Sequence, residues 1–267
     1  LKRIRLEAIQ VDGEELFVST NEMPLILSLE TATRAGSIAL VRGEALLASR
    51  AGDAQISQST NLLENIKAVL DEAGQTLREI DIFAVATGPG SFTGLRIGLA
   101  TVKSFAATLR RPCIGIQTLH AVAHAAGESR CTIAMLPAGR GEVYAQRLAV
   151  SNIGVVQPLG APTNKAPQSL LDSVATLRQL KWAGEGAHIF ADEIKARALS
   201  EGIAFQTADS QSLMSNDEER WTLINSLEVL AVNVATLALS RIRVGDTNLP
   251  QDLQAIYVRP SDAELNQ

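Results

Sequence analysis

The sequence predicts an α/β protein of two lobes, with mixed sheets flanked by helices. Three observations predict it. Three short apolar runs separated by polar turns occupy Leu25 to Ser49. Helix-period and strand-period segments then alternate as far as Ile116. Between two of them lies Gly88-Pro89-Gly90-Ser91-Phe92-Thr93-Gly94-Leu95-Arg96-Ile97-Gly98, which reads as a strand-to-helix turn.

Composition sets the bounds. With 267 residues the chain is long enough for one large domain or two modest lobes. Its 46% apolar and 20% charged residues are those of an ordinary globular protein. A net charge of −5 argues against nucleic acid as a directly and tightly held partner. No apolar run reaches the roughly 18 residues of a membrane-spanning helix. Cys113 and Cys131 have no metal-like spacing, and a reduced, cytoplasmic setting is the expectation.

Taken in order, residues 1–22 contain two alternating runs around Asp12-Gly13, the pattern of a hairpin. Met23-Pro24 precedes the first strong strand, so Met23 is the expected start and residues 1–22 an N-terminal extension. Leu25 to Leu29, Ser37 to Val41 and Ala45 to Ser49 form an antiparallel meander. An amphipathic helix runs from about Ser59 to Ala73, with Leu62, Leu63, Ile66, Val69 and Leu70 apolar. A strand at Ile82 to Ala86, the glycine turn, a helix to Leu109 and a strand at Pro112 to Ile116 follow. Strands, helix, strand, helix and strand in that order are the unit of the actin-like ATPase fold (ASKHA, ribonuclease H-like). That fold pairs two such units and holds phosphate on the polar loop of its first hairpin.

Residues 23–117 are therefore the first lobe and 118–220 a second, degenerate one. The second is expected to hold a helix to Ala126, strands at Thr132 to Leu136 and Gly141 to Val150 around a Pro137 to Arg140 turn, and helices at Ser169 to Leu180 and Ile189 to Leu199. Trp182 to Glu185 is ambiguous, and Ser210 to Arg220 reads as a loop. Residues 221–267 are a long helix, Trp221 to Arg243, and a tail, together returning to the first lobe.

The glycine turn directs backbone N–H groups out of a helix start, where phosphate could sit, with Ser91 or Thr93 as cap. A plain structural turn explains the same residues, since the pattern is neither a P-loop nor a strict dinucleotide fingerprint. Gly94, Gly98 and Thr101, ending at Phe105, lie on one helical stripe. A glycine inside a helix costs about 1 kcal/mol relative to alanine, so another backbone should pack closely at Gly98. That backbone could be internal or a partner's. Glu30, beside Thr31 and Thr33, stands where the actin-like fold keeps an acidic residue near metal and phosphate; hairpin and cap duty is the competing reading. Arg96 could bind phosphate, pair across an interface or be a solvated surface arginine. Gly141-Glu142-Val143-Tyr144 could place a carboxylate at a turn or simply enter a strand. His120 and His124 share one helical face, a spacing that can hold metal, but no third ligand accompanies them. No Ser/His/Asp or Cys/His nucleophile set stands out.

Four blocks carry a family likeness: Leu25 to Leu40 (LILSLETATRAGSIAL), Gly88 to Gly98 (GPGSFTGLRIG), Ile114 to Leu119 (IGIQTL) and Gly141 to Tyr144 (GEVY), with Ala255 to Arg259 at the tail. In this order they resemble the bacterial TsaB (YeaZ) family. The resemblance implies a non-catalytic dimerisation subunit for threonylcarbamoyladenosine modification of tRNAs reading codons that begin with adenine. Its partners would be the transferase TsaD, as a heterodimer, and the ATPase TsaE, with a homodimer when TsaD is missing. It would meet tRNA only through the complex and no membrane. ATP and metal would belong to the partners, with no cofactor, metal or catalytic residue on this chain alone. The helices at about Ser59–Ala73 and Gly94–Leu109 would form the partner face, with Leu62, Leu63, Ile66, Gly94, Gly98, Thr101 and Phe105 as its residues. Glu30, Thr31, Thr33, Gly88, Gly90, Ser91, Thr93 and Arg96 would form a phosphate or structural loop.

The catalytic paralogue's His-x-x-x-His registers onto Thr118 and Val122. His120 and His124 are displaced from it by two residues, about 200° around a helix, and do not inherit that site. The chain departs from the family in Pro137-Ala138-Gly139-Arg140 for Asp-Ala-Arg, Glu30 for aspartate and Gln58 for histidine. The alternatives are a metal-dependent catalytic member of the superfamily (a TsaD-like transferase or metallopeptidase) and a sugar kinase, the latter lacking an evident catalytic aspartate.

Overall fold

The protein is described from a computed structural model, over residues 6–11, 14–19, 23–53, 58–209, 219–225, 227 and 229–258. In chain order the elements are β1 (Leu6–Val11), β2 (Glu14–Ser19), β3 (Leu25–Glu30), β4 (Ser37–Arg42), β5 (Ala45–Ala51), α1 (Gln58–Glu72), β6 (Ile82–Ala86), α2 (Phe92–Leu109), β7 (Cys113–Ile116) and α3 (Thr118–Ala125). Then come β8 (Ser129–Gly139), β9 (Glu142–Val150), β10 (Val156–Pro158), β11 (Thr163–Lys165), α4 (Pro167–Val174), β12 (Leu180–Ala183), α5 (Glu185–Ile189), α6 (Ala191–Ser200), β13 (Ala204–Ala208), β14 (Arg220–Ile224) and α7 (Leu230–Arg243). Two compact units result: residues 1–118 with 228–256, and residues 119–227 with 257–267.

The first unit is built on a five-stranded sheet of order β5-β4-β3-β6-β7. The meander β3 to β5 is antiparallel, and β6 and β7 join parallel to β3. Every residue of β3 and β6 is buried, because helices cover both faces of the sheet: α1 and α2 on one side and α7 on the other. Several polar groups inside this core are paired across the chain. Leu25 N–H donates to Asp81 Oδ2 at 2.7 Å. Ser37 Oγ accepts from Ala231 N–H at 2.9 Å, meeting one of the unpaired donors at the start of α7, and Ser28 Oγ donates to Ala231 O at 2.8 Å. The expected hairpin at the N-terminus is present as β1 and β2, antiparallel from Leu6↔Ser19 to Val11↔Glu14. Among the described residues, no helix is long and apolar enough to cross a membrane.

The second unit holds a seven-stranded sheet along β10-β9-β8-β12-β14-β13, with β11 against β9. Again an antiparallel part, β8 to β10, passes into parallel strands, β8, β12, β14 and β13. Trp182 and Trp221, on adjacent parallel strands, are fully buried with ring centroids 5.2 Å apart.

Several elements differ from the sequence reading. The run expected as one helix, Trp221 to Arg243, is the strand β14 followed by α7. Aromatic and branched residues at 221–224 suit a strand paired on both edges, and Trp221 Nε1 donates to Leu177 O at 2.8 Å. The helix expected to reach Leu180 stops at Val174, and Leu180 opens β12, which resolves the ambiguous segment. Ile189 to Leu199 divides into α5 and α6 at Phe190. β8 runs through Pro137 to Gly139, and the reversal falls on Arg140 and Gly141, both at positive φ. The expected loop at 210–218 lies outside the described residues.

Sequence reading missed Lys181. It lies in β12 between Thr132 and Thr222, only 2% exposed, and its Nζ donates to Ala126 O at 3.0 Å. Burial pushes its pKa below the usual lysine value, against an opposing pull from Glu128. With the folded pKa below the unfolded one, the folded state binds fewer protons in that interval. Stability therefore rises as pH climbs through the folded pKa toward 10.5. Lys181→Met should raise the unfolding free energy near neutral pH by about 1–2 kcal/mol. The gain should shrink as pH approaches 10.5, as urea unfolding at the two pH values would show.

Candidate functional site

Two chain reversals meet in the first unit: the loop between β3 and β4, and the turn between β6 and α2. At the end of β3 the Glu30 side chain, 1% exposed, folds back over its own loop. Its Oε1 accepts from Ala32 N–H at 2.6 Å and Thr33 N–H at 2.8 Å, and its Oε2 from the Thr33 hydroxyl at 2.5 Å. Thr33 Oγ1 in turn accepts from Gly36 N–H at 3.3 Å. One buried carboxylate thus organises the whole reversal.

The glycine turn packs directly on this loop. Ser91 N–H donates to Ala32 O at 2.7 Å. A Cβ on Gly90, at φ +156°, would stand 2.5 Å from the same carbonyl oxygen, so only glycine admits the approach. In the second turn of α2, a Cβ on Gly98 would stand 2.2 Å from Thr31 Oγ1. The other side of the turn is tied to the start of α3: Gly88 N–H donates to Thr118 Oγ1 at 3.1 Å, and Thr118 N–H to Gly88 O at 2.8 Å. Ser91 caps α2, its Oγ accepting from Gly94 N–H at 3.2 Å.

Of the expected loop residues, the structure brings Glu30, Thr31, Thr33, Gly88, Gly90 and Ser91 together through these contacts. Thr93 and Arg96 are exposed, and the Arg96 guanidinium lies 3.8 Å from the centre of the Phe92 ring. Beside the loop a cleft of about 30 Å³ is lined by Thr31, Arg50, Asp53, Asn61 and Asn65, with room for one or two waters.

The expected partner face is reassigned in part. Leu62 and Ile66 belong to the core of the first unit, Gly94 is buried, and Phe105 is half-buried, 5.8 Å from Phe83 between ring centres. Thr101 is half-buried and donates to Ile97 O at 2.9 Å. The close neighbour at Gly98 is the Thr31 side chain of the same unit, not a second helix. Leu63 differs from the rest: it is 63% exposed, on a helix that contacts α2.

His120 and His124 lie on α3. Burial lowers the pKa of His120, and a Cβ on Gly154 would stand 3.0 Å from His124 Nε2. Among the described residues, no three or more His, Cys, Asp or Glu side chains gather as a metal site. Thr118 was legible only as a register position; its grip on Gly88 needs the fold.

The family model described as TsaD, tRNA N6-adenosine threonylcarbamoyltransferase, matches residues 52–243. The tRNA threonylcarbamoyladenosine biosynthesis protein TsaB of Haemophilus influenzae is 36% identical over 123 residues, 45% of this chain and 51% of that protein. The protein of the same name from Escherichia coli is 34% identical, over 45% of this chain and 52% of its own length. A tRNA N6-adenosine threonylcarbamoyltransferase of Protochlamydia amoebophila is 33% identical over 45% of this chain and 36% of its own. The matched region spans about half the length of the TsaB relatives. Among solved structures, a Pseudomonas aeruginosa protein described as similar to peptidase YEAZ superposes with a TM-score of 0.70 at 24% identity, over 89% of this chain and all of that one. YeaZ from the same organism gives 0.66 at 22%, over 88% of this chain and all of its own. At these identities the structural likeness speaks for the fold, which is actin-like.

Proposed function

This chain belongs to the family described as TsaD, tRNA N6-adenosine threonylcarbamoyltransferase, and within it to the TsaB (YeaZ) group; from that premise we propose a non-catalytic subunit for threonylcarbamoyladenosine modification of tRNA. It holds a TsaD-type transferase in its active arrangement, and a TsaE-type ATPase joins the pair. ATP, metal and the tRNA contact belong to those partners, the setting is cytoplasmic, and a homodimer forms when the transferase is missing. The observation that carries the non-catalytic reading is Glu30. Its carboxylate stands at the phosphate loop of an actin-like fold, yet both oxygens accept hydrogen bonds from the loop itself. A carboxylate so engaged supports the loop rather than a bound cation.

The test mixes this protein with the TsaD protein of its own genome and measures the mass of the product by light scattering after size exclusion. A one-to-one complex that restores threonylcarbamoylation with TsaE and ATP is the expected result. The match to a transferase model favours one other reading, a metal-dependent transferase acting alone. Stoichiometric metal in the purified chain, with activity lost in His120→Ala, would establish that reading instead. Within the complex, Leu63→Glu should weaken partner binding by roughly tenfold or more. It should move the stability of the isolated chain by less than about 0.5 kcal/mol. Titration calorimetry and thermal unfolding check the two halves.

A further inference from the structure

β7 is an edge strand of the five-stranded sheet, and its outward-facing backbone groups need partners. The segment after α7 supplies them. The chain reverses at Gly245, φ +78°, where Asp246 N–H donates to Arg241 O at 3.0 Å and Arg241 Nε to Asp246 Oδ2 at 2.7 Å. Asn248 then meets Cys113 in a single antiparallel bridge, its N–H donating to Cys113 O at 2.9 Å and accepting Cys113 N–H on its own carbonyl at 3.3 Å. The Asn248 side-chain oxygen accepts from Gly115 N–H at 3.3 Å, and Gly115 O accepts from Arg241 Nη1 at 2.5 Å. The edge is closed at both outward positions.

The same segment goes on to the glycine turn. Leu249 and Leu253 are buried, Leu253 within the sheet core. A Cβ on Gly115 would lie 2.8 Å from Leu253 Cδ1 and 2.5 Å from Thr87 Cγ2, so a bare backbone at 115 lets the tail and the turn meet. Ile256 N–H donates to Thr87 O at 2.7 Å, and Ile256 O lies 2.7 Å from the place of a Cβ on Gly88. Pinned at Cys113 and Gly115 on one side and at Thr87 and Gly88 on the other, the segment crosses the end of the sheet where α2 begins.

We propose that residues 248–256 are a strap whose seating on β7 sets the Gly88–Ser91 turn, so that the tail and the head of α2 switch as one conformational unit. Anything that engages the head of α2 is then coupled to the seating of the tail, and the coupling free energy is the same read from either end. This inference stands apart from the partner assignment, since every contact it uses lies within the first unit.

Amide hydrogen exchange on the full chain tests it. Asn248→Ala removes the side-chain bond to Gly115 and leaves the core intact; Leu253→Ala removes the buried anchor. In both, exchange at Ser91, Gly94 and Leu95 should quicken together with Gly115 and Ile256, by roughly fivefold or more, while α1 and β12 keep their rates. If Leu253→Ala loosens α1 as well, the Asn248→Ala result decides. Unchanged exchange at Ser91 and Gly94 in Asn248→Ala, whether or not Gly115 quickens, overturns the coupling and leaves the tail as an edge cover alone.

Discussion

Glu30→Ala is expected to be the most destabilising single change in the first unit. It leaves two backbone N–H groups and a buried hydroxyl of one tight loop without their charged acceptor. Each buried donor left unsatisfied costs about 1–3 kcal/mol, so losing all three bonds together costs about 3–5 kcal/mol. That is at least a fifth of the roughly 5–15 kcal/mol that holds a domain together. The melting temperature of the first unit should fall by roughly 10 °C. Because Ser91 donates to Ala32 O, the glycine turn should loosen with the loop. Calorimetry of Glu30→Ala beside Glu30→Asp checks this, the shorter carboxylate recovering part of the loss. A Glu30→Ala protein as stable as the parent would refute the structural role and return Glu30 to the candidates for ligand binding.

The second large effect is at Gly98. Gly98→Leu places side-chain atoms where Thr31 now stands, on a helix that cannot move away without disturbing the glycine turn. Overpacking of this kind costs about 3 kcal/mol, and here the collision begins at Cβ. The loss should appear in the isolated chain before any partner is added. Gly98→Ala combined with Thr31→Ala should recover part of the loss of Gly98→Ala alone, since the two positions share one contact. A Gly98→Leu chain that melts like the parent and fails only to bind its partner would place Gly98 at the interface after all.

These positions also show where the sequence stops being legible. The meander, the glycine turn and its helix could be read because each has a local cause: period-two runs, glycines at a reversal, and a serine able to cap. Crowding at Gly98 was legible too, from the cost of glycine in a helix, but it is a side chain and not the expected backbone that crowds it. The identity of that side chain was not legible, because Thr31 is far away in the chain and only the sheet brings it near. Glu30 could be read as ligand or as cap from its place beside two threonines, and the choice required the direction of its carboxylate. β14 was misread because apolar spacing at 221–224 continues into the helical pattern of α7, and the strand exists only through pairing with β12 and β13. Lys181 and Asn248 leave no local trace: a lysine inside a sheet and an asparagine on an edge are products of tertiary packing.

The tryptophan pair of the second unit has a practical consequence. The sequence has two tryptophans and two tyrosines, and Trp182, Trp221, Tyr144 and Tyr257 all fall within the second unit. Ultraviolet emission is therefore a one-sided signal. It will follow Lys181→Met directly and stay nearly silent while the loop around Glu30 comes apart. A fluorescence melt that shows nothing for Glu30→Ala or Gly98→Leu would be reporting on the wrong half of the molecule, and a heat-capacity trace that splits into two peaks would show the two halves melting separately.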